Sequence, residues 1–115
     1  MKVRILHNPR CSKSRATLAL LQEREFDTEV VLYLESPPSV SELEDILNML
    51  GLEPRELMRK GEAEYKELGL ADQNLSREQL LNAMVSHPRL IERPVVIAGH
   101  QAAIGRPPEN VLNIL

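Results

Sequence analysis

The sequence predicts an α/β fold on a small mixed sheet, and three observations carry the prediction. Two short apolar runs, at residues 3–6 and 29–34, flank a segment with helical spacing. The middle of the chain holds two capping boxes, each followed by apolar residues at helical spacing. Near the C-terminus two strand-like runs are joined by a turn containing Gly99 and His100.

Val3, Ile5 and Leu6 form the first strand, which ends at His7, and the Asn8-Pro9 turn breaks it. A helix follows from Ser12 or Ser14 to Arg24. Either serine can serve as N-cap, and Leu18, Ala19 and Leu21 supply the apolar face. Residues 29–34 are apolar enough for a strand inside a sheet, and a crossover of this length pairs it parallel to the first.

Ser39-Val40-Ser41-Glu42 opens the next helix, with Leu43, Ile46, Leu47 and Leu50 on one face and Gly51 closing it. Pro54 starts a short helix through Leu57 and Met58. Another runs from about Glu62 to Leu68 and stops at Gly69. Ser76-Arg77-Glu78-Gln79 opens a helix carrying Leu80, Leu81, Met84 and Val85 that ends before Pro88. Pro94-Val95-Val96-Ile97 and Ala102-Ala103-Ile104 form an antiparallel hairpin. Pro107-Pro108 then opens a terminal helix through Val111, Leu112 and Leu115. The order is βαβ, a helical insertion at about residues 39–87, then ββα, which is that of a thioredoxin-like fold in one domain spanning residues 1–115. In such folds a proline leading the third strand, often cis, faces a thiol at the first helix. Pro94 holds that place.

Cys11 is the only cysteine of 115 residues. It follows a strand and begins a helix, where free backbone N–H groups and the positive end of the helix dipole favour a thiolate and bind anions. Its neighbours Arg10, Ser12, Lys13 and Arg15 are polar or charged, so the reading is a reactive thiol rather than a small buried hydrophobe. One cysteine makes no internal disulfide, and neither a signal peptide nor a membrane-length apolar run is present, so the expected location is cytoplasmic, without a membrane.

Charge narrows the partner. Residues 1–22 hold five of the 14 cations and none of the 17 acids, on a chain of net charge −3. A broad basic surface for nucleic acid is absent, whereas a local cationic patch around a thiol suits a small anion. The three histidines and one cysteine lack metal-ligand spacing, so no metal is expected, and no glycine-rich nucleotide motif occurs. A cysteine phosphatase needs Cys-x5-Arg, but Thr17 stands at the arginine position.

Several separated motifs carry a resemblance over essentially the whole chain. They are His7-Asn8-Pro9-x-Cys11-x-x-Ser14-Arg15, Leu32-Tyr33-Leu34-Glu35, Leu57-Met58-Arg59-Lys60, Tyr65-x-x-Leu68-Gly69-Leu70, Glu92-Arg93-Pro94 and Gly105-Arg106-Pro107. In these the chain resembles the glutaredoxin-coupled arsenate reductases of the ArsC family, enzymes of arsenic detoxification. The resemblance implies Cys11 as nucleophile and Arg59, Arg93 and Arg106 as the groups that gather the oxyanion. It also implies support from His7, Ser14, Arg15 and Pro94. No bound cofactor is implied; glutathione is the co-substrate and glutaredoxin the protein partner. The turn Arg10-Cys11-Ser12-Lys13 is more basic than the Ala-Cys-Gly-Thr of established reductases. The family also holds RNA polymerase-binding regulators with Cys-x-x-Cys at this turn, but here the fourth position is Ser14.

The residues themselves leave alternatives open. Arg59, within Arg55-Glu56-Leu57-Met58-Arg59-Lys60-Gly61-Glu62, has a surface ion pair as its bland role. His7 either caps the strand end with a hydrogen bond or, when protonated, helps hold a thiolate. Ser14 is a helix N-cap or a weak donor to that thiolate. Beside the arsenate reductase stand two other functions, a general glutathione-dependent thiol oxidoreductase and a non-enzymatic interaction protein like the polymerase-binding relatives.

Overall fold

The computed structural model describes residues 2–115, which form two compact units. The first comprises the chain up to Ser36 together with Arg93–Leu115, and the second comprises Pro37–Glu92. Among the described residues no helix is long and apolar enough to cross a membrane.

The first unit is built on four strands: β1 (Lys2–Leu6), β2 (Asp27–Val31), β3 (Val95–Ala98) and β4 (Gln101–Ile104), in the order β2-β1-β3-β4. β1 and β2 run parallel, with Lys2 opposite Asp27 and Leu6 opposite Val31. Helix α1 (Ser12–Glu23) supplies the crossover. β1 meets β3 antiparallel, Val3 opposite Ala98 and Leu6 opposite Val95. β4 folds back on β3 through a two-residue turn whose Gly99 has φ 62°, a left-handed conformation that only glycine takes without cost. On one face Val3, Ile5, Val96 and Ala98 pack with Leu21 of α1 and Val111 of the C-terminal 3-10 segment Pro108–Ile114 into the unit's core.

Several expectations are corrected here. The second strand covers Asp27–Val31 rather than residues 29–34, and it is an edge strand. β3 occupies the other side of β1, so β2 has one neighbour only. Beyond Val31 the chain turns away, Glu35 and Ser36 both donating N–H bonds to the Leu32 carbonyl at 3.0 and 2.9 Å. Val30, Leu32 and Leu34 are consequently about two-fifths exposed, so their apolarity does not report an interior position. The buried stripe of α1 is Ser14, Thr17 and Leu21, while Ala19 is exposed. Neither Ser12 nor Ser14 is the N-cap; that position is Cys11, extended at φ −95° and ψ 122°. The terminal segment is a 3-10 helix rather than an α-helix.

The second unit is helical. In α2 (Val40–Leu50) the Ser39 hydroxyl accepts from the Glu42 N–H, and the Glu42 carboxylate accepts from the Ser39 N–H. Gly51, at φ 69°, ends that helix, and the Leu52 N–H reaches back to the Leu47 carbonyl. A 3-10 segment, Pro54–Leu57, leads to the short α3 (Ala63–Glu67) and then to α4 (Arg77–Ser86), which has the Ser76–Gln79 capping box. Leu43, Ile46, Leu47, Leu57, Leu80, Leu81, Met84 and Leu90 are buried. Met58 bridges Ile91, and N–H bonds of 2.7 Å from Arg59 to Leu90 and from Glu92 to Leu57 fix the backbone on either side.

Candidate active site

The end of β1 and the start of α1 form a tight loop around a serine. The His7 N–H continues the parallel ladder to the Val31 carbonyl at 2.9 Å. The Asn8 N–H then donates to Ser14 Oγ at 2.9 Å, and His7 Nδ1 lies 2.7 Å from the same oxygen. Asn8 uses its other groups as well. Its Oδ1 accepts from the Arg10 N–H, and its carbonyl accepts from the Cys11 N–H, both at 3.0 Å. These bonds lead the chain out of the sheet and into α1, whose first bond runs from the Arg15 N–H to the Cys11 carbonyl. Ser14 is completely buried, on the third residue of the helix. His7 is 6% exposed.

Burial, and secondarily the charge of Arg15, hold the His7 imidazole below its ordinary 6.5. It is therefore neutral at pH 7, and its place is beside Ser14. This geometry favours the strand-end hydrogen bond over an imidazolium that holds a thiolate. Arg15 fastens the loop from outside, its Nη1 donating to the Pro9 carbonyl at 2.9 Å.

Cys11 is 8% exposed. Arg106 reaches it from the far end of the sequence, Nη2 donating to Sγ at 3.8 Å. The same guanidinium is fixed by a second bond, Nε to the Arg93 carbonyl at 2.9 Å. The Gly105 N–H donates to the Pro94 carbonyl at 2.9 Å, and Asn110 Nδ2 donates to the Arg106 carbonyl at 3.0 Å. The Arg93–Pro94 and Arg106–Pro107 peptide bonds are both cis. The first unit thus brings together Cys11, Arg106, Pro94, the Arg93 backbone, His7, Ser14 and Arg15. Arg10, Lys13 and Arg15 lie exposed around the turn, and the first turn of α1 carries no acid. A thiol with a guanidinium donor and a helix N-terminus beside it has what an anionic electrophile needs: offset charge and a nucleophile.

Arg59 belongs to the second unit. There Nη1 pairs with Glu62 Oε1 at 2.6 Å and Nε with Glu92 Oε1 at 3.6 Å. Glu62 is shared with Arg89 at 3.6 Å. A cleft of about 400 Å³ lies beside these groups, lined by Met58, Arg59, Lys60, Gly61, Glu62 and Glu92. The ion pair anticipated as the bland role of Arg59 is present, in the segment between Pro54–Leu57 and α3 rather than on a helix. Among the described residues no group of three or more His, Cys, Asp or Glu side chains is placed to hold a metal.

Asn8 and Gly105 carry parts of this geometry and were given no role from the sequence. Position gave a signal for Asn8 and Gly105, each beside a proline or Arg-Pro in the quoted motifs.

The model of the ArsC family matches residues 6–114. The uncharacterized protein YfgD of Escherichia coli K12 is 57% identical over 115 residues, covering 99% of this chain and 97% of its own. An arsenate reductase of Neisseria meningitidis is 54% identical, covering 99% of this chain and 98% of its own. The solved structure of an arsenate reductase from Vibrio cholerae, also 54% identical, superposes with a TM-score of 0.97 over 100% of this chain and 98% of that one. With its α/β, thioredoxin-like fold and a cysteine at the first turn, this chain belongs to the ArsC family.

Proposed function

We propose that this protein is an arsenate reductase in which Cys11 is the nucleophile. The observation that carries the reading is the Arg106 guanidinium beside the Cys11 sulfur, in a chain that matches proteins named arsenate reductases over nearly its whole length. Arsenate at neutral pH is a tetrahedral oxyanion with one to two negative charges. A thiolate attacks it only when that charge is offset. Guanidinium groups do this through paired hydrogen bonds and keep their charge throughout. Arg106, Arg93 and Arg59 are assigned that role, and they also stabilise charge building on the oxygens during attack.

The Cys11 sulfur forms a bond to arsenic, and one arsenate oxygen leaves as water after taking up protons. The chain has no second thiol, so the two electrons that take arsenic from the pentavalent to the trivalent state come from outside. Glutathione adds to arsenic with loss of a second water. A glutaredoxin thiol then attacks the glutathione sulfur, forming a mixed disulfide and leaving its electron pair on arsenic. Hydrolysis frees arsenite and Cys11. The cytoplasm, with its reducing thiol pool, is the proposed compartment.

The test is NADPH oxidation on adding arsenate to the protein with glutathione, glutaredoxin and glutathione reductase. Turnover is expected for the wild type and none for Cys11→Ser, with Arg93→Ala and Arg106→Ala lowered by about 10²-fold each. Full turnover in Cys11→Ser removes Cys11 as nucleophile. No arsenate turnover but rapid reduction of glutathione mixed disulfides selects a general thiol oxidoreductase instead.

A further inference from the structure

We propose that Gly105 is a positioning residue whose missing side chain sets the reach of Arg106 to the Cys11 sulfur. Three segments from distant parts of the sequence meet at this glycine: the middle of α1, the start of β3 and the end of β4. A Cβ built on Gly105 falls on Thr17 Oγ1, with Pro94 Cγ at 2.8 Å and Thr17 Cγ2 at 3.2 Å. Among the described residues, a Cβ built on any other glycine meets nothing within 4 Å beyond its own chain neighbours. Gly51, Gly69 and Gly99 have positive φ and open space, whereas Gly105 has neither. Its requirement is therefore volume, not backbone freedom.

The obstacles do not yield equally. Thr17 is completely buried, and its hydroxyl donates to the Lys13 carbonyl at 2.8 Å, which fixes the side chain along the helix. Pro94 Cγ belongs to a ring whose pucker shifts by a few tenths of an ångström. The Thr17 contact thus decides the fit. Gly105 is also tied by its N–H to the Pro94 carbonyl, and the next residue holds Arg93 O with Nε and Cys11 Sγ with Nη2. A methyl group at position 105 forces this strand end away from α1, and Arg106 is carried with it while Cys11 stays at the helix start. A bond already 3.8 Å long has no slack for that displacement.

This inference rests on the reading that Arg106 serves the oxyanion, so the test includes a readout that needs no arsenate turnover. The alkylation rate of Cys11 by iodoacetamide, and its protection by inorganic phosphate, are measured for wild type, Gly105→Ala, Thr17→Ala and the double variant. Arsenate KM and kcat are recorded alongside. Displacement of a positioned group by about 1 Å costs on the order of 10²-fold in rate, so a loss of tenfold or more in kcat/KM is expected for Gly105→Ala. Loss of phosphate protection should accompany it. Thr17→Ala should behave as wild type in both readouts, and in the double variant it should restore most of what Gly105→Ala loses. A merely destabilising Gly105→Ala has the opposite signature, because a second truncation in the core then deepens the defect. Wild-type behaviour of Gly105→Ala, or a double variant no better than the single one, overturns the proposal. If Gly105→Ala does not fold, a folded double variant with phosphate protection supports it. A double variant that also fails to fold, while Thr17→Ala folds, assigns Gly105 to the fold at large and overturns it. Phosphate protection that follows this pattern without arsenate turnover in the wild type leaves the positioning intact and removes the reductase reading alone.

Discussion

Replacing Ser14 with alanine removes one oxygen that serves two partners. The Asn8 N–H donates to it at 2.9 Å and His7 Nδ1 lies 2.7 Å away, the first pair partly buried and the second fully so. Each neutral hydrogen bond contributes about 1 kcal/mol net, and a buried group left without a partner costs about 1–3 kcal/mol. Taking one lost bond at the low end and one orphaned group in the middle of that range gives roughly 3 kcal/mol. For a chain of this size that lowers Tm by roughly 10 °C. Ser12→Ala is the internal control, since Ser12 is an exposed helix residue at the same turn, and its effect should stay within about 0.5 kcal/mol. Urea unfolding of wild type, Ser14→Ala, Ser12→Ala, His7→Asn and Ser14→Ala/His7→Asn supplies the numbers. Coupling between positions 7 and 14 should appear as non-additivity of at least 0.5 kcal/mol. If Ser14→Ala costs no more than Ser12→Ala, the loop is not held through this hydroxyl and the reasoning is refuted.

His7 makes stability depend on pH. Its folded value is depressed below 6.5, so as pH falls through 6.5 the unfolded chain takes up a proton that the folded one resists. Wild-type stability should be fully present above that pH and fall below it, and His7→Asn should flatten the decline in urea midpoints between pH 7.5 and 5; parallel curves would contradict it. Glu62→Gln removes the carboxylate nearest Arg59, at 2.6 Å, and under the oxyanion role proposed for Arg59 the arsenate KM should fall by about threefold or more at similar kcat. An unchanged or raised KM would separate Arg59 from the oxyanion. Gly51→Ala places a side chain at φ 69° in open space, so it should cost about 1 kcal/mol in urea unfolding without altering turnover. A neutral result would contradict the strained C-cap.

What the sequence showed and hid follows from the range of the forces involved. Both serine capping boxes, the Gly51 stop and the Gly99 turn are local, satisfied within four or five residues, and each appears where its residue types fall. The parallel pairing of β1 with β2 follows from the length of the crossover, another local quantity. The buried face of α1 was misplaced because two of its three members are polar. Ser14 is satisfied by His7 and Asn8, and Thr17 by the Lys13 carbonyl, so neither leaves a trace in hydrophobic spacing. The edge position of β2 depends on which strand claims the other side of β1, and that strand begins more than sixty residues later. The space at Gly105 belongs to Thr17 and Pro94 together, a property of no single stretch. The place of Cys11 at the strand-to-helix turn was legible from its flanks, while the backbone carbonyl of Arg93 that fixes Arg106 was not.

The bond between Arg106 and Cys11 joins positions 95 apart in a chain of 115 residues. Proteins are made from the N-terminus, so the thiol leaves the ribosome 95 residues ahead of its guanidinium. The strands that lead into them, β1 and β4, lie on either side of β3 in the sheet but are separated by the whole second unit in synthesis. Until Arg106 emerges, the nascent chain offers a cysteine without the arginine that reaches it in the folded protein. The order of synthesis therefore withholds the guanidinium from any chain interrupted before Arg106, and such a product keeps the sulfur without the side chain that donates to it.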